Sequence, residues 1–251
     1  MKKKIFKSLC LVVLLITFLT GSVMAYASSA DSSYIYKTVN GYNYKFNSTV
    51  VNNSSSTWAY TNVGSADMIN LPTGYMGAYA GMYSSSDVLK AYGDWYYNDA
   101  PHGGISQMTS SVYTLGTYYS YGQVKLYNGN GYTTYSTYKS PVVSNASRVM
   151  NDINGSEYQI NSNGETYGKG GRNAMIIGKE PDLIEASGTD GTIGYVKATE
   201  LASKEATTIE EAISITQQNL NGRTINLYDY TGENVIGSFD ITPAQVETVD
   251  Y

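Results

Sequence analysis

The sequence predicts a mostly β chain: an N-terminal all-β part, forming an antiparallel sandwich or small barrel, followed by a small α+β module with β-hairpins and one helix. Three observations predict it. Aromatic and polar residues alternate over strand-length runs, turns rich in Gly, Asn and Asp separate those runs, and one amphipathic helical period stands late in the chain. Charged residues make up 15% of the 251 residues, against ~25% in a typical soluble domain, and Tyr, Gly, Ser, Thr and Asn fill the difference. An apolar fraction of 42% excludes collagen-like, coiled-coil and fully disordered chains.

The first 27 residues read as a secretory signal peptide. Lys2, Lys3, Lys4 and Lys7 precede the apolar run Leu9 to Leu19, and Gly21-Ser22 leads to small-residue sites ending at Ala25 and Ala27. That run is too short for a spanning helix, which needs ~20 apolar residues, so no permanent membrane span is expected in the mature chain. Cleavage is expected after Ala27. The chain's one cysteine, Cys10, lies inside this segment, and without it the mature chain has no disulfide framework, zinc-thiolate site or cysteine nucleophile.

Charge and composition then divide the mature chain. Residues 28 to 155 hold six acids and six bases, whereas residues 156 to 251 hold fifteen acids and six bases. Nineteen tyrosines fall in the first stretch and six in the second. A Tyr-rich β domain over 28–143, a linker over 144–155 and an acidic α+β module over 156–251 are therefore expected. The acidic balance argues against nucleic acid, whose phosphates require a basic face.

Within the Tyr-rich part, Tyr42 to Asn47 alternates aromatic and polar residues. Thr49-Val50-Val51 enters the turn Asn52 to Ser56, and Thr57 to Thr61 returns from it. Thr117 to Tyr121 and Gln123 to Tyr127 lead to Asn128-Gly129-Asn130-Gly131 and back through Tyr132 to Tyr138, a hairpin whose Asn-Gly turn tolerates positive φ. Between them, Leu71 to Tyr83 is rich in small residues that allow close approach of backbones or rings. Tyrosine suits a half-buried pleated surface, so most of these rings are expected to be packing residues. Trp58, Trp95, Tyr96, Tyr97, Tyr118, Tyr119 and Tyr121 are the candidates for a face that stacks on sugar rings or a protein partner.

In the acidic part, Tyr158-Gln159-Ile160 turns through Asn161 to Gly164 into Glu165 to Gly168. Pro181 to Ala186 turns through Gly188-Thr189-Asp190-Gly191 into Thr192 to Val196. Thr208 with Glu211 makes a capping box for a helix whose face carries Ile209, Ala212, Ile213, Thr216 and Leu220, and Asn221-Gly222 ends it. Thr224 to Tyr228 and Asn234 to Phe239 close a last hairpin through Asp229 to Gly232.

Two resemblances attach to these motifs. The succession Asn163 to Gly168, Glu180 to Ile184, Gly188 to Gly191, Gly194 to Val196, Ile225 to Asp229 and Ile236 to Phe239 resembles a small extracytoplasmic module of Firmicute secreted proteins and sensor-type membrane metallopeptidases. It covers residues 156–251 and implies location and architecture only. The metallopeptidases need a His-Glu-x-x-His helix, and this chain has one histidine, His102. Over residues 40–125, Asn47 to Ser54, Gly74 to Tyr79 and Tyr118-Tyr119 resemble lactococcin-type bacteriocins, secreted β-sandwiches acting on cell-wall precursor. Those bacteriocins end after one domain, whereas this chain continues.

Catalytic constellations are sparse. His102 sits in the turn-like Ala100-Pro101-His102-Gly103-Gly104, where a solvated side chain is the ordinary reading. Ser136-Thr137-Tyr138-Lys139 and Tyr96-Tyr97-Asn98 match fragments of penicillin-recognising enzymes, in reversed order and without Lys-Thr-Gly. Leu71-Pro72-Thr73-Gly74 lacks the remainder of a wall-sorting signal, and Gly164 to Lys169 has the wrong spacing for a phosphate loop. Among paired carboxylates, Glu210 and Glu211 suit a helix start, Glu180 and Asp182 stand together, and Asp94 and Asp99 flank Trp95-Tyr96-Tyr97 as in a glycosidase cleft. Asn161, Asn163 and Glu165, or Asp190, offer oxygen ligands for calcium without a full ligand run, so a plain turn is the expected reading and no metal or cofactor is assigned.

These readings converge on a secreted, non-enzymatic Gram-positive protein, extracellular or associated with the cell envelope. It is expected to bind a cell-wall glycan or protein partner through its aromatic β domain. A bacteriocin-like effector and a glycan hydrolase using Asp94 and Asp99 are the alternatives.

Overall fold

The structure, a computed structural model, describes residues 28–53, 56–144, 157–201, 206–243 and 245–251. The signal segment, its cleavage site at Ala27 and nearly all of the expected linker lie outside those residues. The described chain is mostly β. Its elements in order are β1 (Ser28–Asp31), β2 (Ile35–Val39), β3 (Tyr42–Asn53), β4 (Ser56–Ser65), β5 (Met76–Ser84), β6 (Leu89–Tyr97), β7 (Gly104–Met108), β8 (Thr117–Tyr127), β9 (Tyr132–Ser136) and β10 (Val143–Ser144). There follow β11 (Gln159–Ile160), β12 (Thr166–Gly168), α1 (Arg172–Ile177), β13 (Leu183–Ser187), β14 (Ile193–Lys197), α2 (Ala198–Leu201), α3 (Ile209–Asn219), β15 (Arg223–Tyr228), β16 (Val235–Ile241) and β17 (Gln245–Val249).

The hairpins lie where turn chemistry places them. β3 and β4 pair from Tyr44↔Ser65 to Asn53↔Ser56, β8 and β9 meet at Tyr127↔Tyr132, and β13 and β14 close at Ser187↔Ile193. Gly129 and Gly131 have φ of 94° and 118°, and Gly191 has 88°, a region that side chains avoid. Two sheets result. The first runs β1-β3-β4-β7-β17, with β2 also on β3; the second runs β10-β8-β5-β6-β13-β14-β15-β16, with β9 on β8 and β11 and β12 beside β13.

β3 and β4 pack over β5 and β8, making a sandwich. Alternate residues of the two middle strands point into it: Met76, Ala78 and Met82 from β5, and Tyr118, Val124 and Leu126 from β8, meet Tyr44, Phe46, Val50, Ala59 and Val63. At Gly122 an added Cβ would lie 2.0 Å from Thr61 Oγ1, so a side chain there would push the sheets apart. The other face of the same strands carries Tyr79, Tyr83, Tyr119 and Tyr121, joined by Tyr92, Trp95 and Tyr97 of β6. That face is covered in turn by Ile184, Ala186, Val196, Leu201, Ala212, Ile215, Leu227, Phe239 and Ile241. The β5-β6-β8 layer is therefore buried on both sides.

Residues after 157 reach both sheets. Ala186 of β13 bridges Leu89 of β6, and β17 crosses back to pair with β7 from Gln245↔Met108 to Val249↔Gly104. Helix α3 begins as its capping residues require: Thr208 Oγ1 accepts from the Glu211 N–H, and the Glu211 carboxylate reaches back to the N–H and hydroxyl of Thr207. Its buried stripe is Ala212, Ile215, Thr216 and Asn219, so the expected face is rotated, with Leu220 exposed and Ile213 half-buried. The rotation has a cause. Thr216 and Asn219 serve the open edge of β6, where Thr216 Oγ1 accepts from Tyr97 N at 2.8 Å and donates to Tyr97 O at 3.2 Å, and Asn219 Nδ2 donates to Trp95 O at 2.8 Å.

Candidate functional site

The doubly buried layer does not pack solid. Where the second half arches over it, a cavity of about 210 Å3 is lined by Tyr79 and Tyr83 of β5, Tyr92 and Trp95 of β6, Gln123 and Lys125 of β8 and Thr134 of β9. Glu180, Ile184, Ala198 and Leu201 form its roof. The rings are mutually fixed: Tyr79 stacks on Tyr92 with centroids 4.9 Å apart and meets Trp95 edge-on at 5.1 Å. Lys125, itself buried, lays its Nζ 4.7 Å from the centre of the Trp95 ring.

Glu180 is the unusual member. It follows α1 and reaches down onto the tyrosine face, where the Gly170-Gly171 turn makes room: an added Cβ at Gly170 would lie 2.6 Å from Glu180 Oε2. Oε1 accepts a long 3.4 Å hydrogen bond from Gly171 N, whereas Oε2 is sealed from solvent and has no hydrogen-bond partner. The residue as a whole is half-buried, but Oε2 is enclosed. Burial pushes the carboxyl up to about 7 against the small downward pull of the Gly171 N–H. Burial, followed by the charges of neighbouring groups including Glu180, pushes the phenols of Tyr79, Tyr83 and Tyr92 well up, so they stay neutral donors.

A second cavity, about 330 Å3, adjoins the first and shares Gln123 and Glu180 with it. Its other walls are Tyr121, Ser136, Thr137, Tyr138, Ala174, Gly178 and Lys179. Glu180 thus lines two compartments, one with four aromatic side chains in its wall and one with two.

The seven candidate aromatics separate into different surroundings. Tyr96 and Tyr118 point into the sandwich, with their hydroxyls donating to Asp99 Oδ1 at 2.9 Å and Thr114 O at 2.9 Å. Tyr97 packs beside Trp95 over Gly77, and Tyr119 stacks on Tyr83 and donates to Asp87 Oδ1 at 2.7 Å. Trp58 is half-buried on β4. Six of the seven are buried, and of those six Trp95 lines the first cavity and Tyr121 the second. Tyr79, Tyr83, Tyr92, Gln123 and Lys125 escaped sequence reasoning because nothing local shows which strand faces meet.

The paired carboxylates do not act in pairs. Asp94 is buried and bound to Arg223 Nε at 3.0 Å, while Asp99 lies on the partly exposed side beside Tyr96 and His102, and neither lines the aromatic cavity. Asp182 stands outside it, held by Thr166 N at 2.8 Å and Thr166 Oγ1 at 2.7 Å, which lower its pKa. His102 Nδ1 is 2.7 Å from Asp250 Oδ1 and ties down the C-terminal residues. Asn98, of the Tyr-x-Asn pattern, is a buried brace, its amide donating to Pro72 O and Ala100 O and accepting from Met76 N.

Asn161 and Glu165 do come together, but the Asn161 amide nitrogen occupies the centre of the oxygen cluster of Glu165, Tyr230 and Thr231. Among the described residues no group of three His, Cys, Asp or Glu side chains is placed to hold a metal, and no helix is long and apolar enough to cross a membrane. Compared with protein-family models, curated proteins and solved structures, the chain matches none.

Proposed function

We propose that this chain is a non-enzymatic binding protein that works outside the cell or at its envelope and holds a ring of a cell-wall glycan in the aromatic cavity. One observation carries the reading: a single compartment of about 210 Å3 is lined by the aromatic residues Tyr79, Tyr92 and Trp95 together with the polar residues Gln123, Lys125 and Glu180. Aromatic faces take the apolar side of a sugar, and a few placed polar groups take its hydroxyls. The volume suits one ring, below the ~300 Å3 at which drug-sized sites begin. The signal-like N-terminal residues support export, and the surplus of acids argues against nucleic acid.

The test is co-sedimentation of the purified protein with isolated Gram-positive cell walls, with and without Gln123→Ala, which empties part of the cavity wall from a half-buried strand position. Retention of the wild type and loss in the variant are expected. Equal behaviour of the two would remove the cavity from the binding surface, and no retention of either would end the wall-binding reading.

A further inference from the structure

The outer face of the first sheet carries a cleft that lies apart from the aromatic cavity. Neighbouring residues on a strand point to opposite faces, and Phe46, Val63 and Ile105 point into the sandwich, so Lys45, Gly64 and Gly104 point outward. Register sets them in one row: Lys45 of β3 opposite Gly64 of β4, Gly64 opposite Gly104 of β7, and Gly104 opposite Val249 of β17. The two glycines leave the middle of that row bare, because β4 and β7 approach so closely that a Cβ at Gly64 would lie 2.7 Å from Gly103 O. The result is a trough of about 350 Å3 that crosses the strands, with Asn62 and Ser106 along it, Tyr34 and Lys45 at one end and Val249 and Tyr251 at the other. From β3 to β17 there are three strand spacings, roughly 14 Å in all.

The side chains that line this trough are accessible. Tyr34 and Tyr251 are 51% and 55% exposed, and Lys45, Asn62 and Ser106 are half-buried. Both rings are placed by the fold: Tyr34 lies against Tyr36 with centroids 6.3 Å apart, and Tyr251 packs over Gly103 while its backbone exchanges two hydrogen bonds with the Asn70 side chain. Asn62 donates to Asn47 Oδ1 and Thr49 Oγ1, each at 3.0 Å, which leaves its carbonyl oxygen as an acceptor. Lys45 differs from the other lysines of the first half. Lys37, Lys125 and Lys139 lie over aromatic rings and Lys90 stands near Glu185, whereas among the described residues Lys45 has neither a ring nor an acid against it. No acid lines the trough; Glu247, one row on, is at the β17 end, away from Lys45 and beside the Tyr60 hydroxyl.

We propose that the trough is a glycan site of its own, which takes a short run of sugars bearing a carboxylate: ring faces lie on Tyr34 and Tyr251, hydroxyls meet Asn62 and Ser106, and the carboxylate meets Lys45. An unpaired ammonium group at one end calls for an anion, and the bond between them is of the strong, charge-assisted kind. A peptide is the poorer occupant. Extended peptides gain affinity by pairing their backbone with a sheet edge, but the trough crosses β4 and β7, internal strands whose backbone groups are spent on their neighbours. Sugars ask instead for aromatic faces and for side-chain amides and hydroxyls, and the trough supplies both. It lies on the opposite side of the sandwich from the aromatic cavity, so it stands whether or not that cavity holds a ring.

The test is affinity electrophoresis of the purified protein in native gels containing polygalacturonate or uncharged hydroxyethylcellulose, with mobility taken relative to a polymer-free gel. Retardation by polygalacturonate alone is expected. It should fall about fivefold or more in Lys45→Gln and in Tyr34→Ala, neither of which touches the core, and stay unchanged in Lys169→Gln, a lysine of the second half. Equal retardation by the two polymers would overturn the carboxylate. Retardation that survives both Lys45→Gln and Tyr34→Ala, or that Lys169→Gln weakens as much as Lys45→Gln does, would overturn the trough as the site. No retardation by either polymer would overturn the proposal as a whole, while the cavity keeps its own test in the comparison with Gln123→Ala.

Discussion

At the scale of single residues, Glu180 couples the cavity to pH. An unfolded chain releases this proton near the ordinary 4.5, whereas burial holds it in the folded chain up to about 7. Between those values the folded state binds more protons than the unfolded one, so stability falls as pH rises through the window and levels off above it. The gap corresponds to roughly 3 kcal/mol. Urea denaturation across pH 4 to 8 is expected to show Glu180→Gln gaining on the wild type as pH rises, and a constant difference would remove Glu180 as the cause.

Arg223 is a second residue whose effect exceeds its exposure. Its Nε meets buried Asp94 at 3.0 Å, and its other nitrogens donate to the carbonyls of Glu200 and Leu201, so one guanidinium joins β15, β6 and α2. Arg223→Met removes the charged partner of buried Asp94, whose Oδ1 still accepts from Trp95 N at 2.8 Å, and is expected to cost about 3 kcal/mol in chemical denaturation. The double variant with Asp94→Asn should recover part of that loss. Asp94 was legible in the sequence as an acid beside aromatics, but its partner lies 129 positions later in the chain, and nothing local pairs them.

At the scale of elements, α3 does for β6 what a neighbouring strand would do. β13 bridges β6 at Ala186↔Leu89, and beyond it the backbone of Trp95 and Tyr97 is met by side chains of Thr216 and Asn219. Thr216→Val keeps the shape and removes both bonds to Tyr97. Leaving buried backbone groups unpaired costs about 1–3 kcal/mol each, so a loss of about 2 kcal/mol or more is expected, with Thr216→Ser close to wild type. A valine variant as stable as the wild type would show that α3 is held by packing alone.

This same helix shows how far the sequence could be read. Its start at Thr208 and Glu211 was plain, because a cap is a local bond between neighbours. Of the face expected from apolar spacing, Ala212 and Thr216 are buried, whereas Ile215 and Asn219 take the places of Ile213 and Leu220, because the Asn219 amide is committed to Trp95 O, a bond that hydrophobic spacing does not reveal. The hairpins were legible for the reason the cap was: Asn-Gly and Asp-Gly turns decide their pairing within a few residues. Sheet order was not, since β5 between β6 and β8 depends on contacts distant in sequence. The aromatic face misled for a related reason. Alternation separates the two faces of each strand, but it shows neither that Tyr79, Tyr119 and Trp95 come to one side of the sheet nor that another layer covers that side.

At the scale of the whole molecule, Tyr79, Tyr83, Tyr92, Trp95, Tyr119 and Tyr121 share one core with Ile184, Val196, Ile215, Leu227 and Ile241. Residues 28–144 made alone would expose that aromatic face, a patch of the kind soluble monomers avoid. Dye binding to exposed apolar surface and loss of solubility are expected for the fragment. The full chain should unfold in one transition, seen at the same denaturant concentration by far-UV dichroism and by tryptophan emission. Two separated transitions would show instead that the halves hold together independently.

The return of β17 to β7 gives the chain an uncommon kind of continuity. The first sheet begins with the earliest described strand and ends with the last, so everything from β8 to β16 is bracketed by two attachments to one scaffold. If the chain were cut once between Ser144 and Glu157, the two pieces would remain zipped together through β17, β13 and α3, and separately produced pieces would have the surfaces needed to find each other. The fold is in this respect a natural candidate for split-protein complementation, with recovered Trp95 emission as the sign of reassembly.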